Sequence, residues 1–237
     1  MRRGTLLIVV LIALAAAPAA AESVLLARST NAVVVGAGGT VVPAGAFGGA
    51  AHAGFSIAGA LQLGFVYGLT YGPQPDRQQT EIGMTYSATP LKQRPGVPFS
   101  VQIYGSYTLQ TIESEFLRDA RLEMSGRELR IGLLMARDFV FSRAFALRIG
   151  ATGRQTYHRT NTNATFTFDP DQYTGPLPVD YGQYPLSERS TSFLYGGQVT
   201  AIYVARHGQT VQVGVTALLD RDMDVQFHPS VQLAFGR

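Results

Sequence analysis

The sequence FSVQIYGSYTL, which runs from Phe99 to Leu109, divides into two sets when every second residue is read. Phe99, Val101 and Ile103 begin one set, which is largely apolar, and the other set is Ser, Gln, Tyr, Ser and Thr. A period of two residues is that of a β-strand, because successive side chains point to opposite faces. The segment therefore predicts a strand with one apolar and one polar face. The apolar face would form the core of a soluble β-protein, but it would face lipid in a membrane barrel.

The same alternation recurs along the chain and gives eight candidate strands. Repeated segments of about ten residues with alternating hydrophobicity, separated by turns, are typical of transmembrane β-barrels. We therefore expect an all-β fold, an antiparallel up-and-down transmembrane β-barrel of eight strands, with ten strands as the alternative. The candidate strands are 61–69, 81–87, 99–109, 128–135, 145–152, 194–203, 211–217 and 231–235.

The connections between these strands alternate in length. Connections 110–127 and 155–192 are long, whereas 137–144 and 205–210 are short. Outer-membrane barrels have short periplasmic turns and longer outer loops. We therefore expect the odd-numbered connections outside and both chain ends in the periplasm. Connection 89–98 is longer than a periplasmic turn is expected to be.

The N-terminal sequence predicts a secretory signal peptide. Arg2 and Arg3 precede an apolar run from Leu6 to Ala17, and three alanines offer a small-residue cleavage site before Glu22. The apolar run is shorter than the ~20 residues of a transmembrane helix. Cleavage there leaves a mature chain of about 216 residues. We expect three parts: the signal peptide 1–21, a Gly/Ala/Val-rich segment 22–54, and the β-barrel 55–237.

The composition of the chain argues against several classes of function. Without the signal peptide, the formal charge falls from +3 to about +1. A nearly neutral chain gives no reason to expect nucleic acid as a partner. Cysteine is absent, so no disulfide stabilises this exported chain. Tryptophan is absent too, so we expect Tyr and Phe near the strand ends to form the membrane girdles, with Phe99, Tyr107, Tyr195 and Tyr203 as examples.

The polar faces of the candidate strands consist mainly of Gly, Ser, Thr and Gln, which suit a narrow lumen filled by side chains. Five charged residues share the parity of these faces. Because an unpaired charge in a lumen is costly, we expect the carboxylates and guanidinium groups to pair. The predicted lumen-facing residues are Glu81, Glu128, Arg130, Arg148 and Arg154.

The stretch Val33–Gly39, VVVGAGG, looks like the start of a dinucleotide-binding fingerprint. Val41 occupies the third glycine position, and Pro43 would interrupt the helix that should carry the phosphate. No acidic residue between Glu22 and Asp76 is present to bind a ribose. We therefore expect no cofactor. The segment 22–54 is instead a periplasmic leader, a lumen plug or two further strands.

One local pattern supports the barrel interpretation. Tyr67-Gly68-Leu69-Thr70, followed by Glu81-Ile82-Gly83, resembles a hairpin of small outer-membrane β-barrel proteins of Gram-negative bacteria. The resemblance covers about Phe55 to Arg237 and indicates a porin-like barrel of no specific family. It implies contact with outer-membrane lipid and lipopolysaccharide. It also implies insertion by machinery that reads the last strand, which here ends near Phe235.

Asp220, Asp222 and Asp224 form a D-x-D-x-D pattern whose oxygens suit Ca²⁺. Val225 and Val231 stand where an EF-hand needs Gly and Glu. We therefore expect no metal site and a solvated acidic turn, with these aspartates as a weak metal candidate.

The sequence contains His52, His158, His207 and His228. His158-Arg159-Thr160 resembles the His-x-Ser pair of barrel enzymes that trim lipid A. Here Thr replaces Ser, and His158 has the lumen parity. The spacing assembles no Ser/His/acid constellation. We therefore expect no enzyme activity.

The connection 155–191 is rich in Tyr, Pro, Asp and Thr, and such loops suit contact with a protein or a glycan. We expect a structural or surface-interaction role through the outer loops. An eight-stranded barrel has little free lumen, so a narrow channel for small solutes is the first alternative. A lipid-modifying barrel enzyme is the second. A soluble periplasmic barrel or sandwich is the third, because its alternation would look the same.

Overall fold

The computed structural model describes residues 31–42, 45–72, 78–94, 96–114, 117, 122–164, 184–205 and 209–236. Within these residues, ten strands form a closed barrel in which all neighbouring strands are antiparallel. No helix among the described residues is both long and apolar enough to cross a membrane. The strands are β1 (Ala32–Val41), β2 (Phe47–Ile57), β3 (Leu61–Tyr71), β4 (Gln78–Leu91), β5 (Ser100–Glu113), β6 (Leu122–Val140), β7 (Phe145–Ala164), β8 (Tyr184–Val204), β9 (Gln209–Leu219) and β10 (Val225–Gly236).

The prediction of eight strands is wrong, and the barrel has the ten strands of the alternative. The eight candidate strands lie within β3 to β10 and the residues next to them, and the chain before them adds β1 and β2. β1 closes the barrel by pairing with β10, from Ala32 opposite Gly236 to Val41 opposite Phe227. The predicted signal peptide lies outside the described residues.

The opening segment shows which face of the sheet points outwards. Ile103, Tyr107 and Leu109 are 42–48% exposed, whereas Gln102 and Thr108 are at most 2% exposed. The other strands repeat this arrangement, with large apolar side chains outside and Gln, Ser and Thr inside. A soluble barrel buries its apolar face, so this barrel has the reverse arrangement.

The two ends of the barrel differ in the length of their strands and connections. The turns 58–60 and 141–144 lie at the end where β1 begins and β10 ends, which we call the inner end. At the opposite, outer end, β7 continues as far as Ala164, and β8 begins at Tyr184. Much of the predicted loops 110–127 and 155–192 is therefore strand. The strand pattern was missed there because both faces of the projecting strands are polar.

Aromatic side chains cluster near both ends of the outer surface. Phe47 stacks on Tyr71 at the outer end, with ring centroids 5.2 Å apart. Phe141 stacks on Phe145 at the inner end, with centroids 5.8 Å apart. Exposed Tyr203 is paired with Phe145 in the sheet. Aromatic rings at the two ends of an apolar surface are typical of membrane girdles.

Candidate functional site

The structure places all five predicted lumen-facing residues inside the barrel. Arg148, Arg154 and Glu81 are 0%, 6% and 8% exposed, and Glu128 and Arg130 are partly buried. Four of them line one cavity, whereas Arg148 lies nearer the inner end. The interior therefore has a charged cluster in its outer half and a separate charged group below it.

Arg130 is the centre of the charged cluster. Its Nη2 donates to Glu81 Oε2 at 3.1 Å, and its Nε donates to Glu128 Oε1. Gln110 Nε2 donates to the other Glu128 oxygen at 3.3 Å. Glu128 and Arg130 are two residues apart on β6 and therefore share the inner face. Arg130 reaches Glu81 across β5, where its register partner is the small Ser106.

The sequence motif that resembles a barrel hairpin has a structural reason here. Gly68 is the register partner of Glu81 on the neighbouring strand. A Cβ at Gly68 would lie 2.6 Å from Glu81 Oε1 and 2.8 Å from its Cγ. Gly68 therefore leaves the space in which the Glu81 side chain lies.

The second charged group joins β6 and β7 near the inner end. Arg148 Nε donates to Asp138 Oδ1 at 2.8 Å, and Nη2 donates to Oδ2 at 3.3 Å. Gln93, from the β4–β5 connection, donates to the Asp138 carbonyl and accepts from the Asp138 amide. Sequence reasoning missed Asp138, although continuing the alternation of the predicted strand 128–135 by three residues would have placed it inside.

His158 lies on the inner face of β7 near the outer end. Its Nε2 shares a 2.6 Å hydrogen bond with Thr160 Oγ1, and its Nδ1 is 3.6 Å from Glu128 Oε2. The Glu128 carboxylate, the His158 imidazole and the Thr160 hydroxyl thus lie next to one another in that order. Their spacing in the sequence alone did not indicate this arrangement. The Glu128 carboxylate is already bound by Arg130 and Gln110, so the three groups belong to a larger polar network.

A cavity of about 280 Å³ lies beside the charged cluster. On one side, β1 and β2 contribute Gly38, Gly39, Gly48, Gly49 and Ala50. On the other side lie Glu81, Glu128, Arg130, Arg154 and Thr156, and His52 and His228 also line the cavity. Gly38 and Gly39, the last residues of the stretch that resembles a dinucleotide-binding fingerprint, thus belong to a wall with almost no side chains. The cavity exists because this wall faces long polar residues across the lumen.

Sequence reasoning gave no role to His52 or His228, although both are buried. His52 Nε2 lies 3.3 Å from Gln232 Nε2, and His228 Nδ1 shares a 3.0 Å hydrogen bond with Thr40 Oγ1. His228 has the same parity as Gln232 on β10, which was the one available signal. The contact with Thr40 joins β10 to β1, so an eight-stranded barrel could not have predicted it.

The three aspartates of the metal candidate lie at the β9–β10 turn. Asp220 Oδ1 accepts hydrogen bonds from the backbone amides of Asp222 and Asp224, both at 2.9 Å. Its carboxylate therefore organises the turn. Among the described residues, no three His, Cys, Asp or Glu side chains are grouped to hold a metal ion.

In the predicted interaction loop 155–191, every residue that the structure describes lies in a strand. Residues 155–164 belong to β7 and residues 184–191 to β8, and the rest lies outside the described residues. Tyr157 is exposed on β7, and Tyr184 is the first residue of β8. The remaining tyrosines and aspartates that drew attention to this loop lie outside the described residues: Tyr173, Tyr181, Asp169, Asp171 and Asp180.

The closed barrel, its apolar outer surface and its polar interior together define the class of outer-membrane β-barrel proteins. The resemblance found in the sequence is thus confirmed at the level of the fold. No protein-family model matches the chain, and no curated protein is significantly similar to it in sequence.

Several solved outer-membrane barrels are similar to this chain in structure. The outer membrane protease OmpT from Escherichia coli is 11% identical, with a TM-score of 0.38, over 88% of this chain and 95% of its own. The translocator domain of the autotransporter NalP from Neisseria meningitidis is 10% identical, with a TM-score of 0.41, over 98% and 94%. The β-domain of the Bordetella autotransporter BrkA is 8% identical, with a TM-score of 0.42, over 87% and 100%. Similarity at this level does not bear on function.

Proposed function

We propose that the protein is an exported bacterial outer-membrane β-barrel that acts at the cell surface through its β7–β8 hairpin. The observation that carries this proposal is the unequal length of the strands. β8 has 21 residues and its neighbour β9 has 11, and a strand of about ten residues is enough to cross the membrane. β8 and β9 are paired only from Tyr195 to Val204 on β8. Residues 184–194 therefore extend roughly 35 Å along the strand beyond that pairing.

The projecting part of β8 is open to a partner. Residues 187–193 are all exposed, so both faces of the strand meet solvent. Among the described residues, these positions pair with β7 on one side and with no strand on the other. A free edge offers unpaired backbone N–H and C=O groups, which an extended segment of another protein can bind by adding a strand. This favours a protein partner over a glycan.

The proposed role is tested by shortening the hairpin. Replacing residues 158–190 with Asn-Gly removes most of the free edge, leaves Tyr157 opposite Thr191, as they already are in the sheet, and suits a two-residue hairpin turn. We expect the folded wild type to bind components of a surface-protein array, and the shortened protein to lose that binding. The shortened protein should still migrate differently on gels before and after heating, which would show that its barrel has folded. Equal binding by both proteins, or none by the wild type, would contradict the proposal.

The proposal gives the His158–Thr160 pair a structural role and no catalytic one. The pair faces the lumen, whereas the acyl chains of lipid A lie against the outer surface. We therefore expect His158→Ala to leave the mass spectrum of lipid A unchanged in cells that carry the protein. A modified lipid A that depends on the protein and disappears with His158→Ala would favour the enzyme alternative instead.

A further inference from the structure

Three arginines form a row across the outer surface of the barrel. In the register of the sheet, Arg127 on β6 lies opposite Arg159 on β7, and Arg159 lies opposite Arg189 on β8. All three side chains are exposed. On each strand the arginine has the parity of an exposed residue of the outer surface, and these residues are Ile131, Tyr157 and Phe193. Side chains directly opposite each other on neighbouring strands have Cβ atoms about 4.5–5.5 Å apart, so the three positive charges lie side by side.

In the part of the chain that the structure describes, no carboxylate pairs with this row of arginines. Arg159 Nε donates to Ser187 Oγ at 3.1 Å, which leaves the positive charge uncompensated. Glu188 is next to Arg189 in the chain but has the opposite parity. On the outer face of β5 and β6, Glu113 and Glu123 lie further out than the row, at about 13 Å along each strand. Because like charges directly opposite each other are destabilising, the row is suited to an anion from outside the protein.

The row lies at the level of the lipid headgroups. From Phe145 at the inner end to Arg159, β7 rises by about 46 Å, which is roughly 35 Å along the membrane normal at a strand tilt of ~40°. The hydrocarbon core of a bilayer is about 30 Å thick, and the whole bilayer with its headgroups is about 40–45 Å thick. Exposed Tyr157 precedes Arg159 on the same face, on the side of the apolar band, where aromatic girdles lie. The arginines therefore lie just beyond the hydrocarbon core, where lipid phosphates are found.

We propose that Arg127, Arg159 and Arg189 bind the phosphate groups of lipid A in the outer leaflet. The planar guanidinium group of Arg binds phosphate through two parallel N–H···O hydrogen bonds. The row spans two spacings between neighbouring strands, or about 10 Å, and is therefore wider than a single phosphate. Lipid A carries two phosphates on a disaccharide, whereas phosphatidylglycerol carries one. The site consists of side chains on the outer face, so it does not depend on the proposed addition of a strand at the edge of β8.

Native mass spectrometry of the full barrel folded in detergent tests this site, with diphosphoryl lipid A, monophosphoryl lipid A and phosphatidylglycerol as probes. We expect the wild type to bind diphosphoryl lipid A at least about tenfold more tightly than phosphatidylglycerol, with monophosphoryl lipid A between the two. Arg159→Gln should weaken the binding of diphosphoryl lipid A at least about fivefold, because it removes the central charge of the row. The matched control is Arg221→Gln, which removes an exposed charge at the outer end but outside the row and should bind as the wild type does.

A second measurement separates lipid binding from a purely structural role of the row. In phosphatidylcholine vesicles, Arg159→Gln should raise the free energy of unfolding, because it relieves repulsion between like charges. In vesicles with lipid A in both leaflets, the same variant should lower it, because the folded barrel then loses a bound ligand. The site is overturned if this sign does not reverse, or if Arg221→Gln weakens binding as much as Arg159→Gln does. Binding of phosphatidylglycerol as tight as that of diphosphoryl lipid A would overturn the assignment to lipid A.

Discussion

At Gly68 the absence of a side chain determines where a neighbouring charge can lie. Glu81 lies against Gly68 and from there reaches Arg130, which also holds Glu128. One small residue on β3 thus positions a carboxylate that connects β4 with β6. Removing one partner of such a buried pair is costly, because the other charge loses its compensation.

Gly68→Ala should therefore destabilise the barrel. The new Cβ would lie 2.6 Å from Glu81 Oε1, so the side chain must move and its 3.1 Å contact with Arg130 is strained or lost. We expect a loss of about 1–3 kcal/mol in the free energy of unfolding, measured by denaturant titration of the barrel in lipid vesicles. The matched control is Gly49→Ala, whose Cβ would meet a single atom at 3.7 Å. A loss as large for Gly49→Ala would contradict this explanation.

At the scale of elements, alternation predicted eight of the strands because each has an apolar outer and a polar inner face. β1 and β2 escaped this pattern. The inward residues of β1 include Val34 and Gly36, and those of β2 include Ala50 and Gly54, so neither strand has a clear polar face. Val34 is fully buried in a small apolar cluster with Ala32 and Ala234. Such an interior surface has too little polarity for a period of two to be read.

The turn between β2 and β3 offers a test at this scale. The amide of Ala60 donates to the carbonyl of Ile57, and Ala58 and Gly59 both have positive φ, at 50° and 58°. Two positive φ values are those of a type I′ hairpin turn, whose first central position favours Asn. Ala58→Asn should raise the free energy of unfolding by about 0.5–1 kcal/mol, because Asn tolerates this conformation better than Ala. Ala58→Val should lower it by at least about 1 kcal/mol, because β-branched residues are strained there.

Denaturant midpoints of the two variants in lipid vesicles measure this difference. Opposite shifts support the turn as a determinant of the hairpin. Shifts of the same sign would show that residue 58 acts through something other than its backbone conformation.

At the scale of the whole molecule, the charged site could be predicted only in part. The parity of Glu81, Glu128, Arg130 and Arg154 follows from single strands. Which of these side chains contact one another depends on the order of the strands, their register and the closure of the barrel. The contact of His228 with Thr40 requires β1 to lie beside β10. Two strands that sequence reasoning left undecided therefore determine one wall of the cavity.

The packing of the interior also favours a closed lumen over a channel. The inner half is filled by fully buried side chains, among them Gln102, Leu134, Arg148 and Gln198. Tyr104 adds a ring there, with its hydroxyl 2.7 Å from Thr152 Oγ1. The cavity by contrast belongs to the outer half of the barrel. A lumen filled along half its length gives ions no continuous path.

We therefore expect no steady ion conductance when the folded wild type is inserted into planar lipid bilayers. The matched variant is Asp138→Ala/Arg148→Ala, which removes both partners of the inner ion pair and leaves neither charge unpaired. This variant should show small, intermittent conductance, because the largest fully buried side chain of the inner half is then gone. A gel of boiled and unboiled samples controls for folding, since a closed barrel satisfies its backbone hydrogen bonds internally and should resist detergent until heated. Steady conductance of the wild type that Arg130→Ala or Arg148→Ala alters would establish the channel alternative and contradict a closed lumen.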